Sequence, residues 1–135
     1  MKKVSLKFAA VAVCGVLALA SCKKDDKNSS ASLVGNWTLS EIGGDANNNS
    51  TLDAGESAPA SQGGFNGSAA FRSDNTYTLV LSAGGASNTE TGTYSYANNS
   101  LTTVSSGDTT VIAVKELTNN RLVTLESRQF YVFSK

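Results

Sequence analysis

Oxygen-bearing side chains recur at short intervals between residues 45 and 56 of this sequence. They occupy the first, third, fifth, ninth and twelfth positions of the segment, as Asp45, Asn47, Asn49, Asp53 and Glu56. Thr51, at the seventh position, would contribute its backbone carbonyl. Because Ca²⁺ is bound by about six to eight hard oxygen atoms, this alternation predicts a calcium-binding loop.

The predicted loop departs from the usual calcium pattern in two ways. Ser50 stands at the sixth position, where glycine normally makes the sharp turn. No helical periodicity precedes or follows the segment, so we expect a single loop inserted between strands, with a dissociation constant on the order of 10⁻⁴ to 10⁻³ M. The alternative interpretation is a polar surface loop that is simply solvated.

A second chemically specific residue is Cys22. Three lysines precede an uncharged apolar run at residues 8–20, and the small residues of Leu19-Ala20-Ser21 lead directly to the cysteine. This arrangement resembles a lipobox, which predicts a signal peptide at 1–21 and a covalent lipid on Cys22. An ordinary secretory signal with an incidental cysteine is the alternative.

The segment 22–32 reads as a flexible, polar tether between the lipid and a folded domain. Its Lys24-Asp25-Asp26 run resembles the surface-export signal of Bacteroidota lipoproteins, although a charged spacer would have the same composition. We therefore expect a protein anchored in the outer membrane, exposed at the cell surface or otherwise facing the periplasm.

Composition excludes several classes of function for the domain at 33–135. The chain has no histidine, and both cysteines lie before residue 23, so the usual general bases, thiol nucleophiles and soft metal ligands are missing. We expect no enzyme activity. The domain has five basic and nine acidic residues, which argues against nucleic acid as a partner.

The domain is predicted to be all-β. Apolar and polar residues alternate in short runs that are separated by Asn-, Gly- and Ser-rich turns. The predicted strands are 35–42, 67–72, 76–82, 89–97, 100–105, 109–117, 121–127 and 129–134. Eight antiparallel strands joined by hairpins can close into an up-and-down barrel, and a β-sandwich is the alternative.

Three motifs make the domain similar to lipocalin-like domains of small Bacteroidota lipoproteins. Gly35-Asn36-Trp37 resembles the Gly-x-Trp start of their first strand. The segment 71–77 resembles their hairpin with an aromatic residue followed by Asp-Gly-Thr-Tyr, and 92–96 resembles their Gly-Thr-aromatic strand. The resemblance implies an eight-stranded barrel. It also implies that Trp37 packs across the barrel floor, with Arg121 or Arg128 over its ring.

Two roles remain open for such a barrel. It could bind a small hydrophobic ligand, or it could be a calcium-stabilised surface domain that contacts other envelope proteins. Glu90 and Glu126 are interpreted as ordinary solvent-facing acids. The side chains expected to fill the interior are Trp37, Leu79, Tyr94, Val111, Leu122 and Phe130.

Overall fold

The fold is described by a computed structural model that covers residues 31–135. The predicted signal peptide at 1–21, the predicted lipidation site Cys22 and most of the predicted tether lie outside the described residues. Between residues 31 and 135, no helix has the length and apolar character needed to cross a membrane.

Short antiparallel strands account for most of the described chain. The elements are β1 (Gly35–Gly44), β2 (Ser57–Pro59), a 3₁₀ helix (Ala60–Gly63), β3 (Phe65–Phe71), β4 (Thr76–Ala83), β5 (Ala86–Ala97), β6 (Ser100–Ser105), β7 (Asp108–Leu117), β8 (Arg121–Glu126) and β9 (Gln129–Ser134).

Strand β1 closes the sheet into a barrel. From β3 to β9 each strand pairs with the next one in the chain, and β9 returns to pair with β1 from Thr38↔Ser134 to Gly44↔Gln129. The other edge of β1 is shared by β3 near the start of the strand and by the short β2 near its end. Apart from β2, eight strands form the wall, so the predicted up-and-down barrel is confirmed and the sandwich alternative is not observed.

Hairpin turns lie at the Asn-containing segments that the sequence indicates. Asn75 (φ 63°), Asn98 (φ 51°) and Asn99 (φ 58°) take the left-handed conformation that tight turns require and that asparagine tolerates. All eight predicted strands are present, with bounds that differ by at most three residues. Strand β2 was not predicted, because three residues ending in Pro59 show no alternation.

The barrel has two distinct ends. The floor is the end formed by the start of β1 and the β3–β4, β5–β6 and β7–β8 turns. The loop end contains the 45–56 segment and the β4–β5, β6–β7 and β8–β9 turns. The main core lies inside the wall and includes Trp37, Phe71, Tyr94, Leu122 and Phe133, all of them buried.

A second, smaller core lies on the outside of the barrel. Phe130 and Val132 point away from the interior, because Tyr131 and Phe133 between and after them line it. Both are nevertheless buried, and Leu52 from the 45–56 segment packs against their cluster. The expectation that Phe130 fills the interior is therefore wrong.

Val111 also lies outside the barrel. It is 65% exposed, while Thr110 and Ile112 on either side of it line the interior. The middle of β7 is apolar on both faces, so alternation alone did not show which residues point inward. The expectation that Val111 fills the interior is wrong for this reason.

Trp37 fills the floor end of the barrel. It is completely buried, and its Nε1–H donates a hydrogen bond of 2.8 Å to the carbonyl oxygen of Leu33. The Nζ atom of Lys135 lies 4.1 Å from the centroid of the indole ring and donates to the carbonyl oxygen of Val34 at 3.0 Å. A cation over an indole contributes about 0.5–2 kcal/mol.

The cation over Trp37 is thus Lys135, and the expectation of Arg121 or Arg128 is wrong. Arg121 is also near the floor, but Leu122 after it points inward, so Arg121 points outward and pairs with Glu116 (3.2 Å). Arg128 lies in the β8–β9 turn at the loop end.

Gly35 makes room for this lysine. Its φ of 140° lies in a region that L side chains rarely adopt, and a Cβ atom there would lie 2.7 Å from Cε of Lys135. The Gly-x-Trp motif therefore combines a backbone conformation that requires glycine with the tryptophan that closes the floor.

We expect Gly35→Ala to lower the free energy of unfolding by about 1–3 kcal/mol, because it strains the backbone and displaces Lys135. Gly44→Ala is the matched control, since a Cβ at Gly44 would meet no atom within 4 Å; its effect should stay within about 0.5 kcal/mol. Urea unfolding measures both. Equal losses in the two variants would contradict the role assigned to Gly35.

Candidate functional site

The barrel interior contains a cavity of about 130 Å³. Its apolar lining consists of Ala69, Phe71, Leu79, Leu81, Leu101, Ile112, Leu122 and Phe133. An engineered apolar cavity of about 150 Å³ accepts benzene, whereas sites for drug-sized ligands begin at about 300 Å³. The interior is therefore partly hollow, and it has room for one ligand of about the size of a single ring.

Polar side chains also reach this cavity. Glu90 on β5 and Glu126 on β8 both line it, together with the hydroxyl-bearing residues Tyr77, Thr103, Thr110, Thr124 and Tyr131. The Tyr77 hydroxyl donates a hydrogen bond to the carboxylate of Glu90. The site thus combines an apolar body with two acidic groups.

The two cavity tyrosines are held in the neutral form. Burial raises the pKa of Tyr77, and its hydrogen bond to Glu90 raises that pKa further. Burial also raises the pKa of Tyr131, with an added contribution from the negative charge of Glu126. Both phenols therefore remain hydrogen-bond donors at neutral pH.

Glu90 and Glu126 were not predicted as site residues. The alternation of side chains along a strand identifies them. Glu90 lies four residues before Tyr94 on β5, and Glu126 lies four residues after Leu122 on β8. Since every second side chain shares a face of a regular strand, buried Tyr94 and Leu122 place both glutamates inside the barrel.

A wider depression of about 510 Å³ opens at the loop end. It shares Leu81 and Tyr131 with the cavity and is bordered by Phe65, which is 38% exposed. The Trp37 floor closes the opposite end, so the loop end is the side from which the interior can be reached.

Residues 45–56 form a loop that is ordered by its own hydrogen bonds. The carboxylate of Asp45 accepts hydrogen bonds from the backbone N–H groups of Asn49 and Ser50, both at 3.0 Å. Asp45 is only 3% exposed. Ser50 has a φ of 59°, so it adopts the left-handed conformation for which calcium loops use glycine at this position.

The other predicted ligands also contact one another. The Asp53 carboxylate accepts hydrogen bonds from the side-chain amides of Asn47 (2.8 Å) and Asn49 (2.7 Å), and these bonds lower the pKa of Asp53. Glu56 accepts from the backbone N–H of Asp53 at 3.0 Å. The N–H of Thr51 donates to Oδ1 of Asn49 at 2.7 Å.

These contacts bring the predicted donors into one loop, where they pair with protein groups. Within residues 31–135, no group of three or more histidine, cysteine, aspartate or glutamate side chains is arranged to hold a metal ion. Any cation at this loop would have to displace the amide groups of Asn47 and Asn49 from Asp53.

Arg128 connects this loop to the barrel through two hydrogen bonds. Its Nη2 donates to the carbonyl oxygen of Asp45 at 2.8 Å, and the Asp45 N–H donates to the carbonyl oxygen of Arg128 at 3.0 Å. Because the partly buried Leu52 packs against the outer core, the loop is held at both its start and its middle.

Comparisons with known proteins agree with this architecture. A lipocalin-like protein from Bacteroides uniformis ATCC 8492 has a similar structure, with a TM-score of 0.55 and 14% sequence identity over 76% of this chain and 97% of that chain. An uncharacterized protein from Bacteroides eggerthii DSM 20697 gives a TM-score of 0.52 and 14% identity over 77% and 99%. At such low identity these likenesses show the fold alone.

None of the curated proteins matches the chain. The sequence does match the family described as the lipocalin-like domain, over residues 33–124. This match starts two residues before the Gly-x-Trp strand, extends through most of β8 and covers more than half of the chain. The chain therefore belongs to the lipocalin-like domain family.

Proposed function

We propose that this protein binds a small, mainly apolar ligand inside its barrel, as a lipoprotein anchored in the outer membrane. The observation that carries the ligand proposal is the cavity of about 130 Å³ inside the wall, lined by Leu79, Leu101 and Leu122 among others. Binding is proposed in preference to catalysis, because the sequence has no histidine and no cysteine in the domain.

The size of the cavity limits the ligand. Tight packing around Trp37 closes the floor, so a ligand would enter from the loop end, past Leu81 and Tyr131. A long acyl chain or a multi-ring compound exceeds the volume of this cavity. The proposed ligand is therefore a compact molecule that carries one ring or a short branched chain.

The proposed location is supported by the sequence. The lysines, the apolar run and the small residues before Cys22 favour lipidation of that cysteine, and Lys24-Asp25-Asp26 favours exposure at the cell surface over a periplasm-facing position. Acyl chains contribute about 0.8 kcal/mol for each buried methylene group, so a multiply acylated terminus would stay in the membrane.

A second candidate function is a calcium-stabilised surface domain that contacts other envelope proteins. The left-handed Ser50 supports it, as do the hydrogen bonds that join Asp45, Asn49 and Asp53 in one loop. The loop covers the outer core through Leu52, so an ion bound there would stabilise the barrel.

For ligand binding, we expect toluene at ten times its dissociation constant to stabilise the native state by about 1.4 kcal/mol. Leu79→Trp should abolish this gain because the new ring fills the cavity, whereas Val111→Trp on the outer face should retain it. Thermal unfolding with and without toluene measures the effect. If toluene still stabilises the Leu79→Trp variant, toluene binds outside this cavity.

For the anchor, we expect mass spectrometry of the native protein to find a chain that begins at an acylated Cys22. Cys22→Ser should release the protein from the membrane fraction, and Cys14→Ser should leave it there. An intact leader, or a processed chain without fatty acid, would rule out the lipoprotein proposal.

For calcium, we expect 10 mM Ca²⁺ to stabilise the domain by about 1.4–2.7 kcal/mol if the dissociation constant lies between about 10⁻³ and 10⁻⁴ M. Asp53→Asn should remove the effect, and Asp74→Asn in the β3–β4 turn should not. The melting temperature measures it. If calcium does not change the melting temperature, the calcium proposal is wrong and the loop has a structural role only.

A further inference from the structure

Two acidic side chains enter the cavity from different parts of the wall. Glu90 comes from β5 and Glu126 from β8, with β6 and β7 between them, and both line the same space. Most of the remaining lining is apolar, and among residues 31–135 the two carboxylates are the only formal charges at the cavity wall. A charge beside apolar surroundings is costly unless an opposite charge or hydrogen bonds compensate it.

No basic side chain of residues 31–135 supplies that opposite charge. None of the five lysines and arginines in this part of the chain lines the cavity. Arg121 pairs with Glu116 on the outer surface, Arg128 binds the carbonyl of Asp45, and Lys135 lies over Trp37 at the floor. The cavity therefore has a negative potential that no positive charge of the described residues compensates, although Tyr77 donates a hydrogen bond to Glu90.

Aromatic rings and hydroxyl groups stand beside these carboxylates. Tyr77 and Tyr131 line the cavity together with Glu90 and Glu126, and the faces of such rings attract cations. Thr103, which is only 6% exposed, also contributes to the lining. Carboxylates, tyrosine rings and a nearby apolar wall together form a set of contacts suited to an amine.

We infer that the ligand of this cavity is a small organic cation: an ammonium group on an apolar body of about the size of a benzene ring. The ammonium lies between Glu90 and Glu126, and the apolar body packs against Leu79, Leu101 and Leu122. This inference rests on the proposed function and specifies the charge of the ligand. An organic cation fits better than a metal ion, because residues 31–135 provide no group of three metal-ligating side chains.

The test compares three ligands of nearly equal size that differ in charge. Benzylammonium, benzyl alcohol and benzoate are titrated into the full chain, held in nanodiscs of zwitterionic lipid and labelled with ¹³C at leucine and isoleucine methyl groups. Benzylammonium is expected to shift the methyl signals of Leu79, Leu101 and Leu122. It should bind at least about tenfold more tightly than benzyl alcohol, because its hydrogen bonds to carboxylates are charge-assisted. Benzoate should not bind.

Three variants assign the charge effect to the cavity. Glu90→Gln and Glu126→Gln should each weaken benzylammonium binding about threefold or more, and by a larger factor than they change benzyl alcohol binding. Glu126→Gln also covers the case in which loss of the Tyr77 contact unfolds the Glu90 variant. Glu116→Gln, on the outer face of β7, changes the net charge equally and should have no effect.

The outcomes separate the two proposals. If benzyl alcohol binds as tightly as benzylammonium, or if Glu116→Gln weakens binding as much as the cavity variants, the inferred ligand charge is wrong and the apolar-ligand function stands. If none of the three compounds shifts the interior methyl signals, the ligand-binding function and the inference built on it are both wrong.

Discussion

Closure of the sheet by the pairing of β1 with β9 is the constraint on which the other features depend. It removes the exposed edges that an open sheet would present and divides every strand into an inward and an outward set of side chains. The inward set forms the floor around Trp37 and, above it, the cavity. By this division Glu90 and Glu126 line the cavity, whereas Glu116 lies on the outer surface, where it pairs with Arg121.

The outer surface of the barrel also contains a small apolar core. Phe130 and Val132 would be exposed on an isolated wall, and they are buried because the 45–56 loop folds back with Leu52 over them. Arg128 joins the start of that loop to the β8–β9 turn. The loop is therefore part of the folded structure through these apolar and hydrogen-bond contacts.

Strand positions are predictable from this sequence because turn residues separate runs that alternate clearly. Local patterns fail where a contact joins distant segments: nothing near Phe130 indicates that Leu52 covers it. The cation over Trp37 is Lys135 because β9 ends at the floor. Arg121 is excluded because the alternation of side chains along β8 directs it outward. The same alternation could have placed Glu90 and Glu126 inside, because Tyr94 and Leu122 were expected there. The acidic residue type led to the opposite expectation.

The closing pair also determines when this protein can fold. Thr38 must find Ser134 at the other end of the domain, and contacts between such distant residues form slowly because a long loop has to be ordered first. Until β9 is available, β1 and β8 each keep an unpaired edge, so a chain still being synthesised cannot complete its native barrel. A topology that postpones closure in this way leaves these two strand edges open to wrong pairing until the last strand has been made.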